Sequence, residues 1–256
     1  MLFTAGDPAS LSLETRQTLL AALVERMRRK EEVPHLDPGS LARFAPPDIA
    51  PTLRVIWAAD KEHDEIRRFV LRLISLGKVR DCSDLAVAAS FGRYQDLYTA
   101  ITAGRALLAT GDESARRDYA EYIKLQCALI SSTLVWEAVE DLFPQLIGVD
   151  DLLAILKIIH LGDAEGGGFR FDWAGAKLVE RLMSASDLTR LIEGLLQQLE
   201  AEPEVGIGGR SPRDEQYATA LGAAAGYVVS RCCANGVDRR AAAYRRSAYE
   251  YDAAAG

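Results

Sequence analysis

Asp64-Glu65-Ile66-Arg67-Arg68-Phe69-Val70-Leu71-Arg72-Leu73-Ile74-Ser75-Leu76-Gly77 is the stretch that decides the fold. Ile66, Phe69, Val70, Leu73 and Ile74 recur at steps of three and four. That spacing lines one face of a helix that turns every ~3.6 residues. Arg67, Arg68, Arg72 and Ser75 fall on the other side. Gly77 tolerates left-handed backbone, so residues 62–76 read as an amphipathic helix that stops there. Its apolar face needs a cover, and residues 81–90, with Leu85, Ala86 and Ala89, supply a partner helix.

The same pairing recurs downstream. Leu97, Ala100, Ile101, Gly104, Leu107 and Leu108 form the next apolar face, which ends at Gly111. Asp112 caps the helix that follows, where Asp112 or Glu113 can pair with Arg116 or Arg117. A third pair opens at Ser131 or Ser132, turns Val135, Ala138, Val139 and Leu142 inward, and meets Pro144. Its second member, residues 150–160, is apolar nearly all round: Leu152, Leu153, Ile155, Leu156, Ile158 and Ile159. Such a helix is expected to be covered on most sides, at the centre of a stack. The fourth pair is residues 172–183 and 186–200, after a loop holding Gly166-Gly167-Gly168.

The pairs begin roughly 33 to 40 residues apart, the period of stacked helical hairpins. Each pair alone leaves an apolar face open to water, and stacking buries it. No window alternates in the manner of a strand, so no sheet is expected. The predicted fold is all-α, a HEAT-like helical-hairpin solenoid coiled as a right-handed α-α superhelix over residues 53–200.

Residues 1–52 form an N-terminal helix and a proline-rich junction. The helix runs over residues 13–30, capped by Ser12, with Leu19, Leu20, Leu23 and Met27 at helical spacing. Arg26, Arg28, Arg29 and Lys30 suit the negative end of its dipole. Five of the nine prolines lie within residues 32–52, with short helices expected to open at Asp37-Pro38 and at Pro51. Leu41, Phe44 and Ile49 can pack, which makes this a junction rather than a free linker. Residues 201–256 read as a flexible loop, then a helix opened by Ser211-Pro212 that runs to about residue 234, then a frayed tail.

A chain of 256 residues that is 49% hydrophobic can bury a large core. Its net charge of −7 gives no overall basic footprint for nucleic acid. Acidic residues gather at Glu137, Glu140, Asp141, Asp150, Asp151, Asp163 and Glu165 against Lys157, a run that reads first as a solvated face. Cys82, Cys127, Cys232 and Cys233 show no disulfide framework. With no secretory signal, a cytoplasmic location is expected. No apolar run is long enough to span a bilayer, so no membrane partner is expected.

The residues that could carry chemistry fail the tests that chemistry sets. Gly206-Ile207-Gly208-Gly209-Arg210-Ser211 lacks the Gly-Lys-Ser/Thr and the preceding strand of a phosphate loop. His35, His63 and His160 are scattered, and adjacent Cys232-Cys233 is not a zinc spacing. No nucleophile elbow occurs. The chain is therefore expected to be non-catalytic, without cofactor or metal. Two sets of interaction residues stand out. Tyr94, Tyr98 and Trp136 can line a concave surface, although aromatics at helical spacing first read as core. Arg239, Arg240, Tyr244, Arg245, Arg246 and Tyr249 form a basic, aromatic C-terminal segment. Arg and Tyr together suit protein hot spots, and they also stack on nucleotides.

Several stretches bear a family likeness. They are Glu65-Ile66-Arg67-Arg68-Phe69-Val70-Leu71-Arg72-Leu73-Ile74, Gly77-Lys78-Val79-Arg80-Asp81-Cys82-Ser83-Asp84-Leu85-Ala86, Gly104-Arg105-Ala106-Leu107-Leu108-Ala109-Thr110-Gly111-Asp112, and Leu142-Phe143-Pro144 with Val149-Asp150-Asp151-Leu152-Leu153. Together they resemble the helical repeats of large bacterial STAND-class, NACHT-like signal-transducing ATPases over about 100 residues. The resemblance implies a ligand-sensing or scaffolding arm beside an NTPase, often in defence against phage. The NTPase motifs themselves are absent, so no ATPase residue carries over, and the chain is expected to be part of a larger protein or to act in trans. The expected function is a scaffold that binds a protein partner or other domains of an assembly. The alternatives are a nucleic-acid module using the basic C-terminal helix, and a hydrolase whose site joins His63 or His160 to a carboxylate.

Overall fold

The computed structural model describes residues 10–33, 37–60, 62–92, 96–159, 178, 181, 184–201 and 222. Regular structure among them is entirely helical: α1 (Leu13–Arg28), α2 (Pro38–Phe44), α3 (Ala50–Ala59), α4 (Asp64–Gly77), α5 (Ser83–Ser90), α6 (Leu97–Thr110), α7 (Glu113–Gln126), α8 (Ser132–Leu142), α9 (Val149–Ile158) and α10 (Ala185–Ala201). Single 3-10 turns at Pro47–Ile49 and Arg80–Cys82 lead into α3 and α5. Among the described residues there is no strand. The expected helix over residues 172–183, the loops beyond 160 and 201, and the helix over 211–234 lie outside the described residues, apart from Leu178, Arg181 and Gly222.

The helix starts follow the expected capping chemistry. The Ser12 hydroxyl accepts from the Thr15 amide at 3.2 Å, Asp37 from the Ser40 amide at 2.9 Å, and Asp112 from the Ala115 amide at 2.8 Å. Each satisfies a donor that a helix N-terminus would otherwise leave unpaired, a contribution of about 1 kcal/mol. Asp96 caps α6 in the same way, and the Asp151 carboxylate accepts from the Gly148 amide at 3.1 Å before α9.

The chain divides into two compact units, Met1–Ile123 and Lys124–Gly256, with the division inside α7. In the first, α4 lies along α6, α5 also packs on α6, and α1, α2 and α3 pack on α4. The expected stripe of α4 is buried: Ile66, Phe69, Val70, Leu73 and Ile74, joined by Leu71. Burying each of these side chains contributes about 1.5–3 kcal/mol. Leu41, Phe44 and Ile49 of the proline-rich stretch are fully buried, so that stretch is part of the first core.

Two expectations about this unit need correction. The buried arc of α6 is Thr99, Ile101, Ala103, Gly104, Ala106, Leu107 and Thr110, whereas Leu97, Ala100 and Leu108 are only half-buried. Its small residues admit neighbours on several sides. Its buried hydroxyls are satisfied locally, Thr110 donating to the Ala106 carbonyl at 2.7 Å and Thr99 to Asp96 at 2.7 Å. Next, the left-handed stop of α4 is Lys78 (φ 50°, ψ 45°), not Gly77, which is the last helical residue. The Lys78 amide donates to the Ser75 carbonyl and the Val79 amide to the Ile74 carbonyl, a Schellman closure, with Val79 and Ile74 both buried. Gly77 is required by packing instead, because a Cβ there would lie 2.0 Å from the Ala45 carbonyl oxygen. Arg67, Arg68 and Arg72 lie outside the buried stripe of α4, as expected, and are half-buried. Arg67 sits over the Trp57 ring, 4.3 Å from its centre, and Arg68 reaches Asp96 at 3.0 Å.

In the second unit, α8 buries Val135, Ala138, Val139 and Leu142, as its spacing predicts, and Trp136 besides. Helix α9 packs on α10, where Gly194 makes room for Leu153: a Cβ on Gly194 would fall 2.2 Å from a Leu153 methyl. The Gln198 side-chain amide donates to the Leu153 carbonyl at 2.8 Å. The expectation that this helix is covered on most sides is corrected. It buries Val149, Leu152, Ile155 and Leu156, while Ala154, Lys157 and Ile158 are exposed. Apolar composition overstated its coverage because water still reaches Ala154 and Ile158.

Candidate functional site

The polar residues that could act chemically are mostly engaged in holding helices together. Arg28 at the end of α1 grips Asp60, Nε to one carboxylate oxygen at 2.9 Å and Nη2 to the other at 2.7 Å. Hydrogen bonding from Arg28 holds the Asp60 carboxyl below the usual range. Asp60 lies three residues before His63, and a carboxylate gripped at both oxygens is a poor general base. Arg54 of α3 reaches Asp84 of α5 at 2.9 Å and also the Asp81 carbonyl, and it lowers the Asp84 carboxyl. Arg68 joins α4 to the cap of α6. Burial raises the Asp96 carboxyl, but the Thr99 and Tyr98 hydrogen bonds and the Arg68 charge outweigh it, and the net direction is down. In α1, Arg16 is buried and bonds Asp48 at 2.8 Å.

The acidic run is likewise partly engaged. Asp150 pairs with Arg190 of α10, and Asp151 lies 3.6 Å from Lys124 besides capping α9. Glu113 pairs with Arg117 on α7, one of the alternatives the spacing allowed. Cys82 and Cys127 are free and buried. Burial pushes the Cys82 thiol up to about 11, and its sulfur contacts the Ala50 carbonyl at 3.7 Å, which makes it an inert packing residue. Among the described residues, no group of three or more His, Cys, Asp and Glu is placed to hold a metal ion. No helix there is long and apolar enough to cross a membrane.

The expected interaction residues separate. Tyr98, on the first turn of α6, is 67% exposed and free to meet a partner. Trp136 is 1% exposed, a buried residue of α8 like Val135, Val139 and Leu142, so it takes the core role and cannot line a surface. Tyr94, Arg239, Arg240, Tyr244, Arg245, Arg246 and Tyr249 lie outside the described residues, as do His35, His160, Cys232 and Cys233.

Sequence reasoning missed an aromatic trio in the first unit. Phe91, just after α5, meets Tyr122 edge-on at 5.3 Å and Tyr119 edge-on at 6.2 Å between ring centres, and the two tyrosines of α7 stack at 6.4 Å. Tyr119 is buried, Tyr122 half-buried and Phe91 38% exposed, so the cluster reaches the surface at one end. The signal available was the three-residue step from Tyr119 to Tyr122. Leu125 and Leu129, 75% and 80% exposed, were also missed. Leu125 is in the last turn of α7 and Leu129 in the turn that follows the helix, with exposed Ala128 beside it. Comparison with family models finds no match, and comparisons with curated proteins and with solved structures find none either.

Proposed function

We propose that the chain is a non-catalytic, HEAT-like helical-repeat scaffold that binds a protein partner, in the manner of a sensor arm serving a bacterial STAND-class NTPase. One observation carries this reading. The first helices of three successive pairs begin at Asp64, Leu97 and Ser132, steps of 33 and 35 residues, and the first two of them pack along one another. First helices of neighbouring repeats stack in this way in helical-hairpin arrays. The engagement of Asp60, Asp84 and Asp96 in interhelical pairs supports a structural rather than a catalytic use of the charged residues. Exposed Tyr98, together with the surface end of the Phe91 cluster, supplies aromatic area of the kind that anchors protein interfaces.

The test is reconstitution. A tagged full chain is cross-linked in host cells, the captured protein is identified, and the complex is rebuilt from purified components. A stoichiometric complex that weakens at least tenfold with Tyr98→Ala is expected. Failure of every captured protein to bind the purified chain overturns the proposal.

A further inference from the structure

We draw no further inference here: the strongest candidate, the exposed apolar ridge of Leu125, Ala128 and Leu129 where α7 ends, carries nothing because no feature of the structure shows what covers it.

Discussion

Replacing Gly77 with alanine tests the packing of α4 at its tightest point. Inside a helix, glycine to alanine ordinarily stabilises by about 1 kcal/mol, through propensity and a less disordered unfolded chain. Here the added Cβ would lie 2.0 Å from the Ala45 carbonyl oxygen, 2.9 Å from the Ala45 Cβ and 3.0 Å from its carbonyl carbon. Backbone cannot rotate aside as a side-chain tip can, and Ala45 is fully buried beside Leu41 and Phe44. The end of α4 must therefore move by about 1 Å, and overpacking of that kind costs about 1–3 kcal/mol or more. The expected net result is a loss of about 1–2 kcal/mol, which lowers the melting temperature by roughly 2–8 °C for a chain of this size. The neighbouring substitution Lys78→Gly should act in the opposite direction. It relieves a left-handed residue at φ 50°, and after the extra unfolded-state entropy of glycine it gains about 0.5–1 kcal/mol. Both are read by urea denaturation followed by circular dichroism at 222 nm. Stabilisation by Gly77→Ala, or destabilisation by Lys78→Gly, would refute the assignment of close approach to one residue and left-handed backbone to the other.

Other predictions follow from equally local contacts. Gly104→Ala places a Cβ 2.3 Å from the Tyr119 hydroxyl oxygen and should cost about 1–3 kcal/mol; the cost should shrink measurably in a Tyr119→Phe background, a coupling that a double-mutant cycle detects. Asp48→Ala strands the buried Arg16 charge, and because Asp48 is itself half-exposed the loss should be about 1–3 kcal/mol, below the full cost of breaking a wholly buried pair. The carboxyls of Asp60, Asp84 and Asp96 are held low in the folded state, so their contribution is fully present above about pH 4, the unfolded carboxylate range, and is lost as pH falls from there through the lowered folded-state values. Urea midpoints should therefore fall progressively as pH drops below about 4, by less in Asp60→Asn than in the parent. Cys82 binds its proton more tightly when folded, so stability should decline as pH rises from about 9 towards about 11, and a thiol reagent at neutral pH should label this residue only upon unfolding.

Helix existence and polarity were legible because burial imposes a period that the order of apolar residues reveals. The stripe of α4, the caps at Ser12, Asp37 and Asp112, and the packing of Leu41, Phe44 and Ile49 all follow from a single side chain's chemistry or spacing. Glycine was ambiguous. Gly77 reads equally well as a left-handed stop and as a site of close approach, and only the position of Ala45, 32 residues earlier, separates the two. Helix α9 was misjudged for a related reason: apolar residues all round state what a helix can bury, and the neighbours decide what it does bury. Trp136 shows the same limit from the other side: an aromatic residue at helical spacing reads first as core, and its burial bears that reading out over the interface role.

The interhelical ion pairs carry one more piece of order. Arg16 to Asp48, Arg28 to Asp60, Arg54 to Asp84 and Arg68 to Asp96 span 32, 32, 30 and 28 residues. Each arginine thus ties its own helix to an element that comes later in the chain. The more exposed of them, such as Arg54 and Asp84, contribute little energy, about 0–1 kcal/mol, and apolar burial must supply most of the stability. Their value lies in register. A helix sliding by one turn on an apolar neighbour loses modest contact area, because a stripe of Leu, Ile and Val meets similar groups one turn on. The same slide separates a gripped pair such as Arg28 and Asp60 by about 5 Å, beyond hydrogen-bond reach. Charge-swapping that pair, with arginine and aspartate exchanged, should therefore preserve stability better than either single reversal.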